Sequence, residues 1–131
     1  ISQSQPKVDK VTNPEEIFAA RQMVDQVFVD EKVRNYIVDV VQATRVESGQ
    51  NPAEVEGMIE YGASPRASIF LMQGAKGHAF LQGRNYITPH DVKTIAPDVL
   101  RHRIMLSYEA EAEGKSAEDI IQVILDSVLV P

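Results

Sequence analysis

The chain has 131 residues, 44% of them hydrophobic, a formal net charge of -6 and no cysteine. That length supports one domain with a modest core. The negative balance argues against general nucleic-acid affinity, which needs a basic surface, and the lack of cysteine excludes disulfides, thiolate nucleophiles and cysteine-based metal sites.

No apolar run reaches membrane-spanning length and no signal peptide is recognisable. The cysteine-free composition fits the cytosol. The chain starts at Ile1, not Met, and continues through Ser-Gln-Ser-Gln-Pro. It therefore reads as a fragment of a longer protein or a processed terminus, with residues 1–12 as a linker and 13–131 as a helical domain.

Asn13-Pro14-Glu15-Glu16 starts the first helix: Asn13 caps, Pro14 suits the first turn, and the glutamates face the positive end of the dipole. Ile17, Met23, Val24 and Val27 are its expected inward residues, with an end near Phe28. Asp30 caps a second helix over 31–47, with Val33, Tyr36, Ile37, Val40, Val41 and Thr44 at helical spacing. Residues 53–61 read as a short helix or an irregular acidic segment.

Pro65 opens a third helix that ends at Gln82-Gly83, with Ala67, Leu71, Gly74, Ala75, His78 and Leu81 inward. Its many small residues predict close approach by a neighbouring helix. Tyr86-Ile87 reads as a very short strand with Arg103–Leu106 as its partner. Thr88 caps a fourth helix with Val92, Ile95, Ala96, Val99 and Leu100 inward, and Pro97 ends or kinks it. Residues 109–115 read as an acidic loop. Ser116 caps the last helix, which turns Ile120, Ile121, Ile124, Leu125 and Val128 inward. The fold class is thus mainly α, a small bundle of four to five helices with at most a short two-stranded β element.

Arg66 stands at the start of the third helix. Backbone N–H groups there are ordinarily unpaired and partly positive, and an arginine among them makes an anion site, most naturally for phosphate. No phosphate-cradling loop accompanies it on this chain, so Arg66 reads as half of a site. The alternative is a capped helix with a solvated arginine. The Arg101-His102-Arg103 cluster and Arg84 read as positive charge at helix ends. His78, His90 and His102 do not share one helix, and no metal site is expected. Glu47, Glu54, Glu56 and Glu60 read as a hydrated acidic face.

Four segments in order carry a further signal: Tyr36-Ile37-Val38 with Ala43-Thr44-Arg45; Gly62-Ala63-Ser64-Pro65-Arg66-Ala67; Gly83 to Val92; and Ala96 to Ile104. Together they resemble the C-terminal helical lid of the MoxR family of AAA+ ATPases, with its G-A-S-P-R-A, G-R-x-Y-V-T-P-x-D-V and V-L-x-H-R-I patterns. His90, Asn85, Gly74 and Gly77 depart from the usual residues at their places. The resemblance implies that Arg66 is the sensor-2 residue, reaching the γ-phosphate of ATP bound with Mg2+ in an upstream core. It implies that Ser64, Pro65 and Ala67 shape the surface beside the nucleotide. Tyr36 and Ile37 would line the adenine side, or simply pack the second helix.

It also implies a ring oligomer, usually hexameric, that performs chaperone-like remodelling, with von Willebrand factor A domain proteins among its partners. Nucleic acid and direct membrane contact are not expected. This chain alone has no P-loop and is not expected to hydrolyse ATP. Magnesium chelatase ATPase subunits have a closely similar lid. A non-enzymatic helical interaction module is the alternative from another class, and it would need no nucleotide-binding core upstream.

Overall fold

Every α-helix except α3 begins where a capping side chain satisfies its first donors. In the computed structural model, which describes residues 4–131, Asn13 accepts from the Glu16 N–H and α1 runs Pro14–Asp25. Asp30 accepts from the Lys32 N–H to open α2, Glu31–Ala43. Next come α3, Ala67–Leu81, and α4, Pro89–Leu100; Thr88 and Asp91 form a reciprocal capping box at the start of α4. Ser107 caps the short α5, Tyr108–Ala112, and Ser116 with Asp119 forms a second capping box at α6, Ala117–Ser127. Two 3-10 turns, Val46–Ser48 and Ala53–Val55, follow α2. An antiparallel pair joins β1, Ile59–Tyr61, to β2, Met105–Leu106.

The fold is the expected mainly helical bundle with one short two-stranded sheet. Its extra helix is α5, in the stretch read as an acidic loop. The acidic composition hid a Ser107 cap and the buried Ala110. Residues 4–12 carry no regular secondary structure and are exposed, and the first three residues of the expected linker lie outside the described residues.

The core joins α2, α3, α4 and α6 through Tyr36, Ile37, Leu71, Leu100, Ile120, Ile121 and Ile124, all essentially inaccessible. Several inward assignments differ. No residue of α1 is fully buried; Ile17 and Met23 are exposed, Val24 is half-buried, and Val27, just past the helix end, is buried. α1 lies on the bundle's surface, tied to α3 by the Lys76 ammonium, which donates to the Asp25 carbonyl at 3.0 Å. Leu81 is 80% exposed, and Ala79 takes the core position instead. α2 stops at Ala43, four residues early, because Thr44 and Ser48 turn their hydroxyls back onto its last carbonyls.

β2 pairs with β1, not with Tyr86-Ile87. Tyr86 instead forms an isolated parallel bridge with Phe28, where the Ile87 N–H donates to the Phe28 carbonyl at 3.0 Å. α4 continues through Pro97 to Leu100.

The small residues of α3 do admit α4, most closely at Gly74. A Cβ there would lie 2.6 Å from Cγ2 of Ile95. The β-branched Ile95 has little rotamer freedom in a helix to move aside. At Gly77 an added Cβ would meet nothing within 4 Å. Two substitutions of the same kind should therefore have opposite signs in chemical denaturation. Gly77→Ala is expected to gain about 1 kcal/mol from helix propensity. Gly74→Ala is expected to lose about 1 kcal/mol net, because overpacking outweighs the same gain. Equal gains at both would show that α3 and α4 are not in close contact at Gly74.

Candidate functional site

The turn before α3 is built on the end of α2. The last carbonyls of α2 take side-chain donors: Thr44 Oγ1 donates to Val41 at 2.7 Å, Ser48 Oγ to Gln42 at 2.7 Å and Asn51 Nδ2 to Ala43 at 2.7 Å. That fixes a platform for the incoming chain. Gly62 passes so close to it that a Cβ would fall 2.1 Å from the Thr44 carbonyl oxygen. Only glycine fits there. The next residue, Ala63, is fully buried. Its N–H donates to Thr44 Oγ1 at 3.0 Å, and its carbonyl accepts from Arg45 Nη1 at 3.0 Å.

Beyond this anchor the chain turns into α3. Ser64 Oγ accepts the Arg66 N–H at 3.2 Å, the Ser64 carbonyl accepts the Ala67 N–H at 2.9 Å, and the Pro65 carbonyl accepts the Ser68 N–H at 3.1 Å. Pro65 has no N–H to satisfy. The backbone donors expected to be open at this helix start are therefore already paired within the turn. Any anion capacity resides in the Arg66 guanidinium. Arg66 is exposed, and among the described residues its side chain makes no hydrogen bond or ion pair. By contrast, Arg45 pairs with Glu47, Arg84 with Asp91, and Arg101 with Asp98 and Glu118.

Ser64 and Pro65 share this exposed surface with Arg66, whereas Ala67 is fully buried on the core side of α3. Tyr36 and Ile37 are core residues, not exposed neighbours of the turn. The Tyr36 hydroxyl is buried without a partner, and burial raises its pKa. Ile37 borders an open trough of about 670 Å³ between α1, α2 and α3, with Arg34, Ile69 and Met72. The trough reaches Ser68, two residues beyond Arg66.

A second polar cluster locks α3 to α4. Asp91 is fully buried and accepts from Arg84 Nη1 at 2.8 Å and Nη2 at 2.6 Å, from the Thr88 N–H at 2.7 Å and from Thr88 Oγ1 at 3.0 Å. His78 Nδ1 lies 2.6 Å from the same carboxylate. Arg84, read from sequence as positive charge at a helix end, is thus the forked partner of a buried acid. Asp91 is the centre of the cluster. The T-x-x-D spacing of a capping box was the available signal. Among the described residues no group of three His, Asp or Glu side chains could hold a metal. Glu47, Glu54, Glu56 and Glu60 are exposed, as a hydrated face requires.

Residues 52–124 match the family model of the AAA lid domain. The chain belongs to that family. Its relatives are MoxR-type proteins. Chaperone MoxR1 of Mycobacterium tuberculosis is 34% identical over 126 residues, which cover 96% of this chain and 33% of that protein. The uncharacterised protein YeaC of Bacillus subtilis is 38% identical over 124 residues, covering 95% and 36%. A crystal structure from Cytophaga hutchinsonii, of a protein provisionally assigned as an ATPase, is 40% identical with a TM-score of 0.83, over 89% of this chain and 36% of that one. This lid therefore spans about a third of the length of the proteins it matches.

Two stability measurements check the lid's internal geometry. Gly62→Ala should cost about 2 kcal/mol in chemical denaturation, because backbone must move to admit the methyl group. A cost below about 0.5 kcal/mol would mean that the turn is not seated on Thr44.

Asp91 sets an acid limb. Its burial alone would push the carboxyl up, but the hydrogen bonds from Arg84, His78 and Thr88 outweigh that and hold it well below the usual carboxylate range. The folded-state pKa is thus below the unfolded one. The stabilisation is present above the unfolded value of about 4 and is lost as pH falls below it. The melting temperature should drop steeply from pH 5 to pH 2. Asp91→Asn should lower it at pH 7 and flatten that acid limb. An equally steep limb in the variant would remove Asp91 as its source.

Proposed function

We propose that this lid carries the sensor-2 arginine of a MoxR-type AAA+ ATPase and closes over ATP bound with Mg2+ in an upstream core domain. The observation that carries the reading is Arg66, exposed, without a partner among the described residues, and projecting from a turn whose own donors are satisfied. A forked, permanently charged donor held at a fixed place suits phosphate oxygens. Membership of the AAA lid domain family supports the same role.

The bound nucleotide supplies the phosphoryl group that is transferred to water. Arg66 donates N–H groups toward the charge that develops on that group, and Ser64 and Pro65 fix where the guanidinium starts. Because Arg66 belongs to the lid and the phosphate to the core, its pairing ties lid position to the nucleotide state. The magnesium ligands and the P-loop would come from the core. Residues 1–12 would be the linker to it.

At the level of the whole protein, the reading is a homo-oligomeric ring, a hexamer, that uses ATP hydrolysis for chaperone-like remodelling in the cytoplasm. Its protein partners include von Willebrand factor A domain proteins. The name of the Mycobacterium relative, a chaperone, supports this direction.

The test uses the full-length ATPase that contains this lid. Arg66→Ala should leave ATP binding within a few-fold of the parent and lower kcat by about 100-fold, the scale seen when one charge-stabilising donor is removed. Unchanged kcat would exclude a sensor role for Arg66.

A further inference from the structure

We propose that Arg45 is a positioning residue for Arg66, clamping the sensor turn to α2 so that the two move as one body. The inference rests on the sensor reading of Arg66 and adds what holds that residue in place.

The Ala63 carbonyl is in a fully buried residue, and Arg45 Nη1 is its hydrogen-bond partner among the described residues. Thr44 Oγ1 takes the N–H of the same residue. Both polar groups of one peptide residue are thus held by two consecutive side chains at the end of α2. Gly62, one position earlier, has no clearance from the Thr44 carbonyl. The chain cannot slide along α2 without breaking both bonds, and it cannot rock toward α2 without a clash. Arg66 lies three residues beyond Ala63, across a turn closed by its own hydrogen bonds.

Arg45 itself is braced. Its other terminal nitrogen pairs with Glu47, and its side chain is 22% exposed. The Arg45 carbonyl accepts from the Ser48 N–H at 3.2 Å. A pull on Arg66 by a phosphate would therefore be passed to α2, which borders the trough beside α1 and α3. Precise placement of a charge-stabilising donor matters because small displacements reduce its effect in the transition state more than in substrate binding.

The experiment measures steady-state hydrolysis of magnesium–ATP by the full-length ATPase in a double-mutant cycle. Arg45→Ala should lower kcat about tenfold with KM for ATP within about twofold, a modest share of the loss from removing Arg66 itself. Arg45→Lys, which restores a donor to the Ala63 carbonyl, should recover most of that loss. In an Arg66→Ala background, Arg45→Ala should change kcat by less than about twofold, since the group it positions is gone. Arg45→Met, which keeps the stem and removes the donor, carries the same expectations and serves if the alanine variant folds poorly. An equal loss of kcat in both backgrounds would make Arg45 a structural residue only and overturn the proposal. So would an unchanged kcat in Arg45→Ala while Arg66→Ala is impaired. If Arg66→Ala itself retains full kcat, the sensor reading fails, and the clamp fails with it as a functional device.

Discussion

The placement of Arg66 depends on the contact between Gly62 and the Thr44 carbonyl. There the chain passes the end of α2 with no room for a side chain. That contact orients the following residue so that its N–H and carbonyl meet Thr44 and Arg45. The turn then closes on itself through Ser64 and Pro65. The backbone donors at this helix start are therefore paired within the turn, and the exposed polar group left there is the Arg66 guanidinium.

The rest of the bundle keeps α3 in register with that turn. At the far end of α3, Arg84 and His78 converge on the buried carboxylate of Asp91, joining the end of α3 to the start of α4. Along its middle, Gly74 admits Ile95 of α4. α3 is therefore held at its start by α2 and along its length and end by α4. A buried ion pair adds little net stability over apolar packing, but it disfavours alternative registers of the two helices, because any slip leaves a charge unpaired. Motion of this lid should thus occur as a body, with α1 on its surface the least committed element.

Much of this was readable from the residues. Asn13, Asp30, Thr88 and Ser116 announce helix starts because capping is a local interaction. The burial of α2 and α6 follows their 3.6-residue period. What could not be read depends on distant partners. Ile17 and Met23 have the right period yet stay exposed, since α1 lies on the surface of the bundle, packed mainly against α3. Ile59–Tyr61 is too short to show alternation, so its pairing with β2 leaves no signal in the sequence. At the site, the G-A-S-P-R string pointed to Arg66. The roles of Thr44 and Arg45 were invisible, because their partner lies 18 to 19 positions away in sequence. The partners of Asp91 lie 7 and 13 positions away, and only the fold brings Arg84 and His78 to it.

The most direct test of the central claim is a crystal structure of the full-length ATPase with magnesium and a non-hydrolysable ATP analogue. The account predicts a guanidinium nitrogen of Arg66 within hydrogen-bond distance of a γ-phosphate oxygen. It also predicts that the Ala63 bonds to Thr44 and Arg45 are intact. A structure in which Arg66 faces solvent while the lid is closed over the nucleotide would contradict it.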